Sequence, residues 1–107
     1  MISEQVETAA QAARWDALVI HPDDDVAVAL RDLGVGDTVN VRSGGAVHRI
    51  TLCEAIPLGH KFARHAVSMG APIRKYGECI GVATADIAPG GHVHIHNMAS
   101  RRARRSP

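Results

Sequence analysis

The stretch TVNVRSGGAVHRITL, residues 38–52, decides the reading of this chain. Thr38–Val41 alternates polar and apolar residues, Gly44-Gly45 supplies a tight turn, and Ala46–Leu52 alternates again. Period-two alternation puts successive side chains on opposite faces of a strand, and a glycine pair between two such runs is a hairpin signal. The clearest element is therefore a β-hairpin, and a mainly β fold is expected around it.

Toward the N-terminus, Gly36-Asp37 forms a turn before the hairpin. Asp23, Asp24 and Asp25 precede the apolar run VAVAL, and acidic residues in a first turn complement a helix dipole. One short helix is expected over Asp24–Leu33, ended by Gly34. Trp15–Ile20 (WDALVI) reads as a first strand, and residues 1–14 as an extension that either forms a short surface helix or stays disordered. On the C-terminal side Pro57 and Gly59 force Ile56–His60 into a loop. A short helical turn is expected at Lys61–Ala66. Strands follow at Pro72–Lys75, Ile80–Ala83 and Val93–His96, separated by Tyr76-Gly77 and by Ala88-Pro89-Gly90-Gly91. Residues 15–99 thus form one domain, and residues 100–107, with Arg101, Arg102, Arg104 and Arg105, a flexible tail. No internal repeat is visible.

Composition agrees with one small domain of 107 residues. Apolar residues make up 46% and aromatics 3%, so the core must be built from Val, Ile, Leu and Ala. A net charge of +1 argues against a dedicated nucleic-acid binder, and no apolar run is long enough for a membrane span. With acidic Glu4 and Glu7 in place of a signal peptide, a cytoplasmic location is expected. Cys53 and Cys79 match no disulfide framework or metal motif and read as buried thiols.

Three places carry the residue types of chemistry. The chain has 7 histidines, and in HVHIH (92–96) an extended backbone would point His92, His94 and His96 one way, with Val93 and Ile95 toward the core. Neutral imidazoles at that spacing suit a divalent metal. His94 and His96 are the candidate ligands, with His60, His92 or a group from another chain as the third. Most such pairs on exposed strands bind nothing. In the loop, Gly59 allows close backbone approach, His60 can transfer a proton, and Lys61 can hold a carboxylate; a solvated loop is the plain alternative. Arg74, Lys75 and Tyr76 suit an anionic ligand, or merely a protected strand edge.

The set DDVAVALRDLGVGD (24–37), IPLGHKFA (56–63) and IRKYGECIGVATADIAPGGHVHIHN (73–97), in that order, resembles the SAF-like domain of the altronate and galactarate dehydratase family. It is also similar to the small subunit of the related sulfolactate sulfo-lyase. The resemblance covers about three quarters of the chain, from Ala17 to Met98. It implies a small SAF-like β-clip domain with one or two short helices, working beside a larger catalytic subunit in a hetero-oligomer. The chain ends soon after the His-rich strand, which fits the separate small-subunit arrangement.

The implied reaction is elimination of water, or of sulfite, from a hydroxylated carboxylic acid such as a sugar acid or sulfolactate, assisted by Fe2+ or Mn2+. By the same similarity Gly59, His60 and Lys61 match the family's loop, and His94, His96 and Asn97 its C-terminal strand. The expected roles are catalysis by His60 and Lys61, substrate binding by Gly59, Arg74, Lys75, Tyr76 and Asn97, and metal binding by His94 and His96. The alternative is a non-catalytic carbohydrate- or acid-binding module.

Overall fold

The computed structural model describes residues 15–100. The expectations for residues 1–14 and for the arginines at 101–105 lie outside the described residues.

Among the described residues nine strands form two sheets. They are β1 (Ala17–Val19), β2 (Val26–Ala29), β3 (Thr38–Ser43), β4 (Ala46–Thr51), β5 (Lys61–Ala63), β6 (Pro72–Lys75), β7 (Glu78–Ala83), β8 (His92–Val93) and β9 (Met98–Ser100). The first sheet has the order β4-β3-β1-β2-β5-β8 and the second β6-β7-β9. All named pairs are antiparallel except β1 with β3, which run parallel. The hairpin is as read: β3 and β4 pair from Thr38↔Thr51 to Ser43↔Ala46. Ser100, read as the start of the tail, closes β9 opposite Gly81.

Among the described residues there is no helix, and both expected helices are corrected. The run VAVA at 26–29 is strand β2, paired with β1 and β5. Two valines alternating with alanines are stiff at χ1 and pack well on a pleated surface, and that preference outweighs the acidic start. Lys61–Ala63 is likewise strand β5. The acidic run caps no helix. Asp24, only 2% exposed, accepts the backbone N–H groups of His21, Tyr76 and Gly77 at 3.1, 3.0 and 2.8 Å. A buried carboxylate with three such donors is satisfied, and it fixes the β6–β7 turn against the start of β2. In that turn Tyr76 and Gly77 both have positive φ, 58° and 74°, as a two-residue hairpin turn of the primed type requires.

The structure also reveals a repeat that the sequence hides. Leu33, Ile56, Val67 and Ile87 are each followed three residues on by a glycine (Gly36, Gly59, Gly70, Gly90). Three further on comes a buried strand or strand-edge residue (Val39, Phe62, Ile73, Val93). In each unit the glycine has φ between 82° and 89°, and the N–H of the next residue donates to the carbonyl three back, the pattern of a type II turn. The units associate in pairs through the bridges Leu33↔Ile56 and Val67↔Ile87. Each bridge carries the same brace: Asp32 Oδ1 accepts from Leu58 N–H, and Asp86 Oδ1 from Met69 N–H, both at 2.8 Å.

The core follows this division. One cluster gathers Val39, Val41, Leu52, Ile56 and Phe62 around β1–β3, and the other Val26, Val67, Ile73, Ile87 and Val93. Burial of a side chain of this size stabilises the fold by roughly 1.5–3 kcal/mol. The two clusters meet across β5, whose Phe62 enters the first and Ala63 the second. The thiols are not a buried pair: Cys53 is exposed and Cys79 half-buried.

A histidine cluster as the candidate functional site

The junction of β5 and β8 positions the histidines. Lys61 faces Val93 and Phe62 faces His92 across the antiparallel ladder, so His60, just before β5, comes level with His94, just after β8. His60 is also the last residue of the turn Pro57–His60, its N–H donating to Pro57 C=O at 2.9 Å. Gly59, at φ 82° in that turn, presents open space on the outside.

The extended HVHIH segment is corrected. Strand β8 covers only His92 and Val93, and the chain then folds into a turn over 94–97. Val93 is fully buried as expected, but Ile95 projects outward and is 82% exposed. Asn97 makes this turn. Its side-chain amide donates to His92 C=O at 2.8 Å, its carbonyl oxygen accepts from His94 N–H at 3.0 Å, and its backbone N–H closes on His94 C=O at 3.1 Å. Asn97 is nearly buried and both polar atoms of its side chain are used within the loop.

The imidazoles still converge, through a fold-back rather than a shared strand face. His60 Nδ1 lies 2.9 Å from His92 Nε2. Between two neutral rings one nitrogen must donate, so a single proton occupies that gap. The His94 ring stacks on His60 with centroids 4.7 Å apart, and His92 lies 5.4 Å from both His94 and His96.

Two groups of metal-ligating atoms result, each with its members within 4.8 Å of one another: His60, His92 and His94, and Glu54, His92 and His96. His94 and His96, singled out as a pair, thus fall in different groups joined by His92. Glu54 was missed, since nothing in its local sequence marks it. In tetrahedral zinc-type coordination nitrogens about 2.0–2.1 Å from an ion lie roughly 3.3 Å apart, so the His60–His92 gap need open by only a few tenths of an ångström. The three histidines thus form a group that could hold a divalent ion, with the His60–His92 pair already near ligand spacing.

Electrostatics favours the same use. Burial first, then the neighbouring His60, His94 and His96 rings, holds the His92 pKa below its ordinary value, with Glu54 opposing. For His94 desolvation again leads, followed by His60, Lys61 and His96. Neutral imidazole, the ligand form, is thereby favoured. Lys61 is lowered by burial and by Lys75. The Lys75 ammonium also lies 4.9 Å from the centroid of the exposed Tyr76 ring. Arg74 is tied through its backbone, its N–H donating to Asp25 Oδ2 and its C=O accepting from Asp25 N–H. Its exposed guanidinium makes no hydrogen bond or ion pair among the described residues.

Residues 15–101 match the family described as the altronate/galactarate dehydratase SAF domain. The chain belongs to that family. The SAF domain is 49% identical over 78 residues to altronate dehydratase of Escherichia coli (strain K12), and 37% identical over 78 residues to that of Bacillus subtilis (strain 168). Each alignment covers 73% of this chain but 15% of the relative, so the chain spans only a small part of those enzymes. It is also 42% identical over 62 residues to (2R)-sulfolactate sulfo-lyase subunit alpha of Paracoccus pantotrophus, covering 58% of this chain and 92% of that subunit. The SAF domain is thus a β domain whose relatives include a dehydratase and a sulfo-lyase subunit. Among its described residues no helix is long and apolar enough to cross a membrane.

Proposed function

We propose that this chain is the small subunit of a two-subunit lyase, and that it presents the His60–His92–His94 cluster and Lys61 to a larger catalytic subunit. The observation that carries the reading is three imidazoles from two separated segments, beside a half-buried lysine, at the edge of a domain whose relatives are lyases. Similarity across nearly the whole sulfo-lyase alpha subunit supports the subunit arrangement. The substrate class is a hydroxylated carboxylic acid such as a sugar acid or sulfolactate, which loses water or sulfite.

Elimination begins with removal of the proton alpha to the carboxylate, which builds enediolate charge. Lys61 meets that demand as a cation already partly stripped of water, and so gains from an anionic partner more than a solvated lysine does. Arg74, with its guanidinium free of partners among the described residues, provides a second cation for an acid group. Lys75, Tyr76 and Gly59 complete the substrate side, Gly59 by leaving its backbone open to approach. A divalent ion, Fe2+ or Mn2+ in this reading, would be held by His60, His92 and His94 and would supply Lewis-acid stabilisation of developing negative charge. His60 acts either as the third nitrogen of that set or as the proton-transfer group. The larger subunit supplies the remaining walls, since water-excluding pockets lie preferentially between domains.

Replacement of His60 by Ala is expected to lower turnover of the reconstituted pair by about 100-fold or more. Metal content divides the two roles: loss of the ion together with the rate marks His60 as a ligand, whereas loss of rate with the ion retained marks proton transfer. A near-normal rate excludes both.

A further inference from the structure

The three-histidine set leaves Glu54 and His96 unused, and the residue beside each is fixed by hydrogen bonds outside the proposed chemistry. Glu54 follows β4. The residue before it is tied twice to the fourth type II turn: Cys53 N–H donates to Gly90 C=O at 3.1 Å, and Cys53 Sγ lies 3.2 Å from Pro89 C=O. That turn leads directly into β8, so the tether delivers Glu54 to His92. His96 is brought from the other side by the Asn97-closed turn, with its ring centroid 5.4 Å from that of His92. The carboxylate and the two imidazoles offer ligand atoms within 4.8 Å of one another, with Glu54 and His96 exposed and His92 half-buried.

We propose that Glu54, His92 and His96 form a second divalent-cation position, which shares His92 with the three-histidine set and is filled in alternation with it. The inference rests on the reading of the cluster as a metal centre and deepens it. The two positions differ in chemistry. Three imidazoles make an all-nitrogen set, whereas two imidazoles and a carboxylate make a harder one with coordination positions to spare, a donor set suited to Fe2+ and its neighbours. The outer position is also the accessible one, where an ion arriving from solvent or from a partner surface meets ligands first. Both positions need His92, so an ion in one removes a ligand from the other.

The test is titration of the full chain with Co2+ alone, followed by visible absorption and calorimetry. His60→Ala/His94→Ala removes two inner ligands and is expected to keep a Co2+ site, which Glu54→Gln added to that background weakens tenfold or more. Absence of binding by a folded His60→Ala/His94→Ala chain, or indifference to Glu54→Gln, overturns the proposal. Should that background fail to fold, the exposed pair Glu54→Gln/His96→Ala decides instead. It is expected to alter the saturated Co2+ spectrum by removing one of two coordination types, and an unchanged spectrum overturns the second position. Loss of all Co2+ binding in that last variant would instead contradict the three-histidine centre, so the two ideas fail separately.

Discussion

His92 is the residue on which most of the site converges. It donates or accepts toward His60, stacks on His94, lies tilted beside His96, and belongs to both metal-ligating groups. Its depressed pKa, and that of His94, have a consequence for the metal-free chain. An unfolded imidazole titrates near about 6.5. Because the folded values lie lower, the unfolded chain binds more protons in the window between them, and stability rises with pH there. Stability contributed by the neutral rings is therefore present above about pH 6.5 and is lost as pH falls toward the folded values. The urea midpoint of the metal-free chain should drop between pH 7.5 and 5.5, and His92→Gln/His94→Gln should flatten that drop. Equal pH slopes in the two chains would contradict the assignment. At this scale the sequence was readable in kind: imidazole types at period two announced a cluster. It was not readable in geometry, because the strand ends at Val93 and Asn97, not strand alternation, gathers the rings. Glu54 was invisible because its proximity to His92 comes from a tether 36 residues away in the chain.

The element that organises the molecule is the type II turn with its glycine, used four times among the described residues. The four are not equivalent. A Cβ on Gly59 meets nothing nearby, whereas a Cβ on Gly90 would run into the backbone carbonyl of Thr51. Both substitutions impose a left-handed backbone on an alanine, at a cost of about 1–2 kcal/mol. Gly90→Ala must also push β4 away from the turn that carries β8. Thermal or urea unfolding should show Gly59→Ala losing about that amount and Gly90→Ala losing clearly more; equal losses would contradict the close approach. The repeat itself escaped the sequence because its units share a backbone shape and little else: one apolar residue, a glycine and a second apolar residue at three-residue spacing, with unrelated residues between. The strands were more legible. Thr38–Val41 and Ala46–Leu52 alternate cleanly and pair as read, whereas Asp23–Asp25 suggests a helix start and VAVA is instead strand β2. The structure uses Asp24 as a buried acceptor for three backbone amides, a role that depends on residues about fifty positions away.

At the scale of the whole molecule, the histidine cluster lies at the edge of the larger sheet, where β8 is the outermost strand. Leu58, two residues before His60, and Ile95, between His94 and His96, are 62% and 82% exposed. A polar centre flanked by exposed apolar side chains has the composition of a surface that another protein covers, with desolvation supplied by the partner. The larger lyase subunit of the proposal would be that partner. The most direct test is affinity purification of the tagged chain from its native host, with mass spectrometry of the bound material and assay of the recovered complex on hydroxy acids. The account predicts a stoichiometric partner several times the size of this chain, and elimination of water or sulfite by the pair but by neither component alone. A chain recovered alone and monomeric, or a large subunit fully active without it, would contradict it.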